Sequence, residues 1–150
     1  MRRQDRQIST EATIAILRKG EFGVLSMCTT ESGGYGIPLN YAYVNNEIYF
    51  HCAPEGSKLT FLKNNNRVSF CVVGHTEILP SQFGTIYESA IVFGKVAEVE
   101  ADEKRKGLLY LIEKYSKDFI PEGLKTIDQN FENVQVLKLS IQSLTGKARN

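Results

Sequence analysis

The chain has 150 residues, 42% hydrophobic and 23% charged, with a formal net charge of +1. That balance belongs to a globular domain long enough to bury a core, and acidic and basic residues that alternate rather than form blocks remove any general electrostatic case for nucleic acid or an anionic membrane. No apolar run reaches the roughly 18 residues of a spanning helix, and MRRQDRQIST carries no apolar segment behind it, so the expectation is a single cytoplasmic domain over residues 1–150.

Ser9 or Thr10 caps a first helix that runs to about Lys19 and stops at Gly20. FGVLSMCTT (22–30) is β-rich and GGYG (33–36) breaks the chain. IPLNYAYV (37–44) and NNEIYFHCA (45–53) read as a hairpin joined at Asn45-Asn46. Ser57 opens a short helix carrying Leu59, Phe61 and Leu62, with Asn64-Asn65-Asn66 as its polar stop. RVSFCVV (67–73) is a strand, GHTEILPSQFGT (74–85) a loop, and SAIVFGKVAEVE (89–100) a long strand with Gly94 as a bend or bulge. Asp102 caps a helix whose apolar face holds Leu108, Leu109, Leu111, Ile112 and Tyr115, and Pro121 opens a further helical turn or two. VQVLKLSIQSL (134–144) alternates with the period of a half-buried strand. About six strands with helices at their edges give a mainly β architecture, an antiparallel barrel carrying peripheral helices.

The chemistry concentrates in FHCAPEGSKL (50–59). Adjacent strand residues point to opposite faces, so His51 and Cys52 cannot grip one ion, and no C-x-x-C or H-x-x-x-H pair exists. No metal site is assigned, and no Cys–His nucleophile. Cys28, Cys52 and Cys71 form an odd set in apolar text, the pattern of small buried side chains with reduced thiols. EGSK after a strand and before a helix suits a phosphate: Gly56 permits close approach, Ser57 caps or contacts an oxygen, and Lys58 adds charge. On spacing alone that reading stays open beside an ordinary turn with a solvated lysine. A strand histidine bonded to a neighbour is the ordinary reading of His51, set against its place beside Asn40, Tyr41 and Tyr43, where the hairpin could wall a flat pocket.

Taken in order, Pro-Leu-Asn-Tyr (38–41), Phe-His-Cys-Ala (50–53), Gly-x-Lys (56–58), Arg-Val-Ser-Phe (67–70), ESAIVFGKVAEVE and LTGKARN resemble the pyridoxamine-phosphate-oxidase-related, FMN-binding split-barrel proteins, in particular their nitroimidazole-resistance-like branch. The resemblance spans Phe22 to Lys147. It implies a six-stranded antiparallel split β-barrel and a homodimer with two FMN sites at its interface. Gly56, Ser57 and Lys58 would then hold the phosphate, and the backbone of Pro38, Leu39, Asn40 and Tyr41 would face the isoalloxazine. His51 would lie near the ribityl chain or ring, with Ser89 and Lys147 facing the cofactor. It also implies an oxidoreductase passing electrons from a nicotinamide-type donor to a small acceptor such as a nitroaromatic, with His51 as the catalytic proton donor or substrate contact. A non-catalytic FMN or haem carrier or sensor is the alternative. The pyridoxamine phosphate oxidases proper carry an arginine-rich C-terminal segment that TGKARN does not match, so oxidation of pyridoxamine phosphate is not expected.

Overall fold

The computed structural model describes residues 3–29 and 33–149; Thr30 and Asn150, at the ends of two segments read from the sequence, lie outside them. Among the described residues seven strands form one antiparallel sheet in the order β2-β1-β5-β6-β7-β4-β3. They are β1 Phe22–Thr29, β2 Gly33–Asn40, β3 Ala42–Val44, β4 Glu47–Cys52, β5 Arg67–Leu79, β6 Gly84–Val99 and β7 Gln135–Arg149. Around it lie α1 Thr10–Lys19, α2 Ser57–Asn64, α3 Ala101–Tyr115 and α4 Ile120–Asn130. The mainly β, antiparallel split-barrel architecture stands, with seven strands in place of six.

The extra strand has a local cause. Residues 33–44 do not make one strand after a break at GGYG. Gly33 to Asn40 pair with β1 from Thr29 to Phe22, and Ala42 to Val44 pair with β4 at the far edge of the sheet. Only Tyr41 separates the two segments. A sheet whose first and last strands are one residue apart must curl until its edges meet, which makes it a barrel, and β2 and β3 are not ladder partners, which leaves it split.

Elsewhere the local rules hold with adjustments. The Ser9 hydroxyl accepts from the Ala12 amide at 3.1 Å and caps α1. Gly20 ends that helix in extended rather than left-handed backbone, and its missing Cβ makes room for the Val72 side chain and the Tyr41 hydroxyl. Asn45 and Asn46 take positive φ in the β3–β4 hairpin, as the sequence suggests. The segment read as a loop after Val73 is instead a hairpin arm: β5 continues to Leu79 and β6 starts at Gly84, with a register shift between Val73 and Thr76. Ladder pairing outweighed the loop signals of Gly74 and Pro80. The bulge expected at Gly94 is present as a register shift between Phe93 and Gly94. The residue flanking α3 is Glu100 rather than Asp102, which lies in its first turn.

Leu25, Phe50, Phe70, Val92, Leu137 and Leu139 fill the barrel, each contributing about 1.5–3 kcal/mol by burial. A second cluster around Tyr49, Leu108, Ile127 and Val136 fixes α3 and α4 to the outer side of β4 and β7. The seam at Tyr41 has its own fastening. The Tyr41 hydroxyl donates to the Leu17 carbonyl at 2.7 Å, and the Tyr115 hydroxyl, from the end of α3, accepts the Tyr41 amide at 2.9 Å. Lys114 places its Nζ 3.7 Å from the centroid of the Tyr41 ring, with no hydrogen-bond partner among the described residues. Burial pulls this ammonium down to about 8, against an opposing pull from Glu21.

A lysine depressed in the folded state binds fewer protons there than in the unfolded chain, so stability rises with pH between about 8 and the ordinary lysine value of 10.5. Denaturant titrations of wild type and Lys114→Met should show the variant more stable at neutral pH and the difference narrowing as pH rises through that window. A pH-independent difference would remove Lys114 from the account of the seam.

Candidate functional site

The seam gives Asn40 two neighbours. It pairs with Phe22 on β1, and continuing the Ala42–Tyr49 register back by two residues sets it opposite His51 on β4. Asn40 and His51 together line a hollow of about 480 Å³ closed by Leu108, Leu111 and Ile112 of α3 and Ile127 of α4. A second depression, of about 340 Å³, is formed by Phe22, Pro38, Leu39 and Asn40. Asn40 is thus the wall shared by both, held in place by its Nδ2 donating to the Glu21 carbonyl at 3.1 Å. Tyr41 differs from its predicted companions: its side chain is fully buried and its amide is already taken by Tyr115. Its contribution is to position Asn40.

His51 and Cys52 leave β4 on opposite faces, His51 exposed and Cys52 buried. The His51 ring makes no hydrogen bond among the described residues, leaving both nitrogens for a ligand or solvent. Cys71 is half-buried, whereas Cys28 is exposed, contrary to its reading as a packed core residue. It lies opposite Gly34 toward one end of the β1–β2 ladder.

Beyond Cys52 the chain turns through Gly56, whose φ of 129° and ψ of 162° suit only glycine. The Gly56 carbonyl accepts the Leu59 amide at 3.1 Å, leaving the amides of Ser57 and Lys58 with no carbonyl ahead of them at the start of α2. The Lys58 ammonium folds back toward Gly56 and has no carboxylate partner among the described residues. It also lies close enough to Cys52 to oppose the rise that burial imposes on that thiol. Two amides at the helix start, a hydroxyl able to donate and an ammonium without a carboxylate partner among the described residues together suit an exposed phosphate dianion.

The remaining predicted residues lie on the outer face of the sheet. One cross-strand row reads Pro38, Val24, Cys71, Ile91, Thr145 across five strands. The neighbouring row holds Asn40 and Phe22 at one side and Val73, Ser89 and Lys147 at the other. Ser89 and Lys147 are direct cross-strand partners and share a depression of about 310 Å³. Between the two polar ends the face is apolar and open, with Phe22 and Val73 each 58% exposed and Phe93 51%. Asn40 and Ser89 are three strand spacings apart, roughly 14 Å along the sheet. One chain does not bring them together.

Sequence reasoning missed the outward apolar row and the helical wall of the hollow. The row left a signal: β1, β5 and β6 carry apolar residues at both parities, the mark of strands covered on both sides. The wall left none: Leu111 read only as part of an amphipathic helix face, and the segment after Pro121 was read as no more than a helical turn or two.

A family model described as pyridoxamine 5'-phosphate oxidase matches residues 9–148. No curated protein matches the chain. Among solved structures, a candidate 5-nitroimidazole antibiotic resistance protein of Bacteroides thetaiotaomicron is 27% identical, with a TM-score of 0.77, over 94% of this chain and 85% of that one. An FAD-binding protein of Mesorhizobium loti is 22% identical with a TM-score of 0.68, covering 97% of this chain and 98% of its own. An FAD and haem binding protein of Mycobacterium smegmatis is 17% identical with a TM-score of 0.84, covering 97% and 74%. At those lower identities the last two speak for the fold alone.

Proposed function

The chain belongs to the pyridoxamine 5'-phosphate oxidase family, and from that premise we propose that it is an FMN-dependent oxidoreductase acting as a homodimer. The observation that carries the reading is the donor-rich corner at Gly56, Ser57 and Lys58, set one turn of chain beyond His51. Its chemistry fits a flavin mononucleotide's phosphate, and the exposed edge at Pro38, Leu39 and Asn40 fits a planar ring with a polar rim.

The outer face supports the dimer. Ser89 and Lys147 are too far from Asn40 to serve the same ring within one chain, but in a two-fold assembly the patch meets its own copy, and each polar end crosses to the partner's opposite end. Burying Phe22, Val73, Ile91 and Phe93 would drive such an association. Each site would then draw Pro38 to Asn40, His51 and Lys58 from one chain and Ser89 and Lys147 from the other.

Bound flavin would supply the redox chemistry, accepting electrons from a nicotinamide-type donor and releasing them to a small acceptor. The chain's own residues bind and orient. Lys58 and the α2 amides fix the phosphate, Asn40 separates the cofactor side from the helical hollow, and His51 faces that hollow with both ring nitrogens uncommitted. If the acceptor is a nitro compound, two electrons and two protons convert it to the nitroso compound and water, and His51 is the group placed to deliver a proton.

Purified protein should be yellow or become so with added FMN. Lys58→Ala should weaken FMN binding about tenfold to a hundredfold and riboflavin binding hardly at all, as followed by flavin fluorescence; equal losses for both would take Lys58 away from the phosphate. His51→Ala should keep its flavin and lose most nitroreductase turnover with NADH or NADPH. Unchanged turnover would free His51 of the proton role, and tight flavin or haem binding with no turnover in wild type would leave a carrier.

A further inference from the structure

We propose that the hollow between β4 and the α3–α4 pair is the seat of the electron acceptor, and that it selects an uncharged, flat, largely apolar molecule presenting acceptor oxygens at one end. It rests on the flavoprotein reading only in calling the ligand an electron acceptor; the ligand's size, charge and orientation come from the hollow.

Its volume of about 480 Å³ accommodates a molecule of one or two rings. Leu108, Leu111, Ile112, Ile127 and Val134 supply the body of the lining, and no Asp, Glu, Lys or Arg takes part. An ionic ligand would lose its hydration there and gain no counter-charge. The polar groups of the wall are unevenly committed. On α4 the Thr126 hydroxyl donates to the Glu122 carbonyl at 3.0 Å and the Asn130 amide donates to the Thr126 carbonyl at 3.0 Å. Tyr115 is occupied at the seam, where its hydroxyl meets the Tyr41 amide and the Glu21 carbonyl, and Asn40 donates to Glu21.

Two polar groups of the lining, the His51 ring and the Ser116 hydroxyl, make no side-chain hydrogen bond among the described residues. A bound molecule that lays its apolar body against the helices and turns its oxygen atoms toward β4 meets the His51 ring, with Ser116 at the end of α3 on the opposite wall. Since Asn40 walls both this hollow and the one at Phe22, Pro38 and Leu39, a ligand here is next to the proposed ring site without occupying it.

The native chain contains no tryptophan, so one placed at the mouth of the hollow reports on it alone. Asn130, exposed at the end of α4, is suitable. In Asn130→Trp, 4-nitrotoluene should quench the tryptophan saturably, 4-nitrobenzoate should bind about tenfold more weakly or worse, and adding FMN should leave the nitrotoluene curve in place. Thr126→Trp, exposed on the same wall, repeats the measurement if the first variant does not fold. Linear, equal quenching by both compounds would overturn the proposal. So would displacement of nitrotoluene by FMN, which would give the hollow to the flavin. Saturable quenching in a protein that binds no flavin would sink the flavoprotein reading and leave the hollow standing.

Discussion

A single stretch of chain, residues 33–44, has to serve both edges of one sheet. Nothing but Tyr41 separates its two halves, so the sheet must curl by a whole barrel turn within one residue's reach. The cost of that crossing is met locally: the Tyr41 ring is buried against Phe70, its hydroxyl takes the otherwise unpaired Leu17 carbonyl, and Tyr115 receives its amide. Three separate elements, α1, α3 and the strand itself, are tied at one point.

The same crossing creates the geometry of the candidate site. By changing partners at the seam the chain leaves Asn40 exposed between two depressions, opposite Phe22 on one side and His51 on the other. The helices that cover the seam also form the far wall of the hollow before His51. Tyr115 therefore links fold to site: its hydroxyl closes the barrel while its ring lines the pocket. A change in how α3 docks alters the seam and the hollow together.

How much of this was legible in the sequence depended on whether a residue's role was local. The Ser9 cap, the Asn45-Asn46 turn, the α2 start after Gly56 and the Gly94 irregularity are short-range consequences of side-chain size and hydrogen bonding, and they read directly. The split at Tyr41 did not, because IPLNYAYV is equally good strand text on either side of it and only long-range pairing decides where it divides. GGYG misled for the same reason: glycine signals a break, yet an edge strand paired along its whole length tolerates it. The candidate site residues were proposed through the order of motifs rather than spacing. That order could not say that Tyr41 faces inward, that Ser89 and Lys147 are cross-strand partners, or that they stand at the opposite end of an apolar face from Asn40.

That separation is where the account is most exposed, because it requires every flavin site to be built from two chains. Differently tagged Lys58→Ala and Lys147→Ala chains, co-expressed and purified as the mixed dimer, test it directly. If the sites are composite, one site of that dimer carries both substitutions and the other carries neither, so FMN titration should recover wild-type affinity at half the wild-type stoichiometry. If each site lies within one chain, every site is damaged, no tight phase appears, and the two-chain site is contradicted.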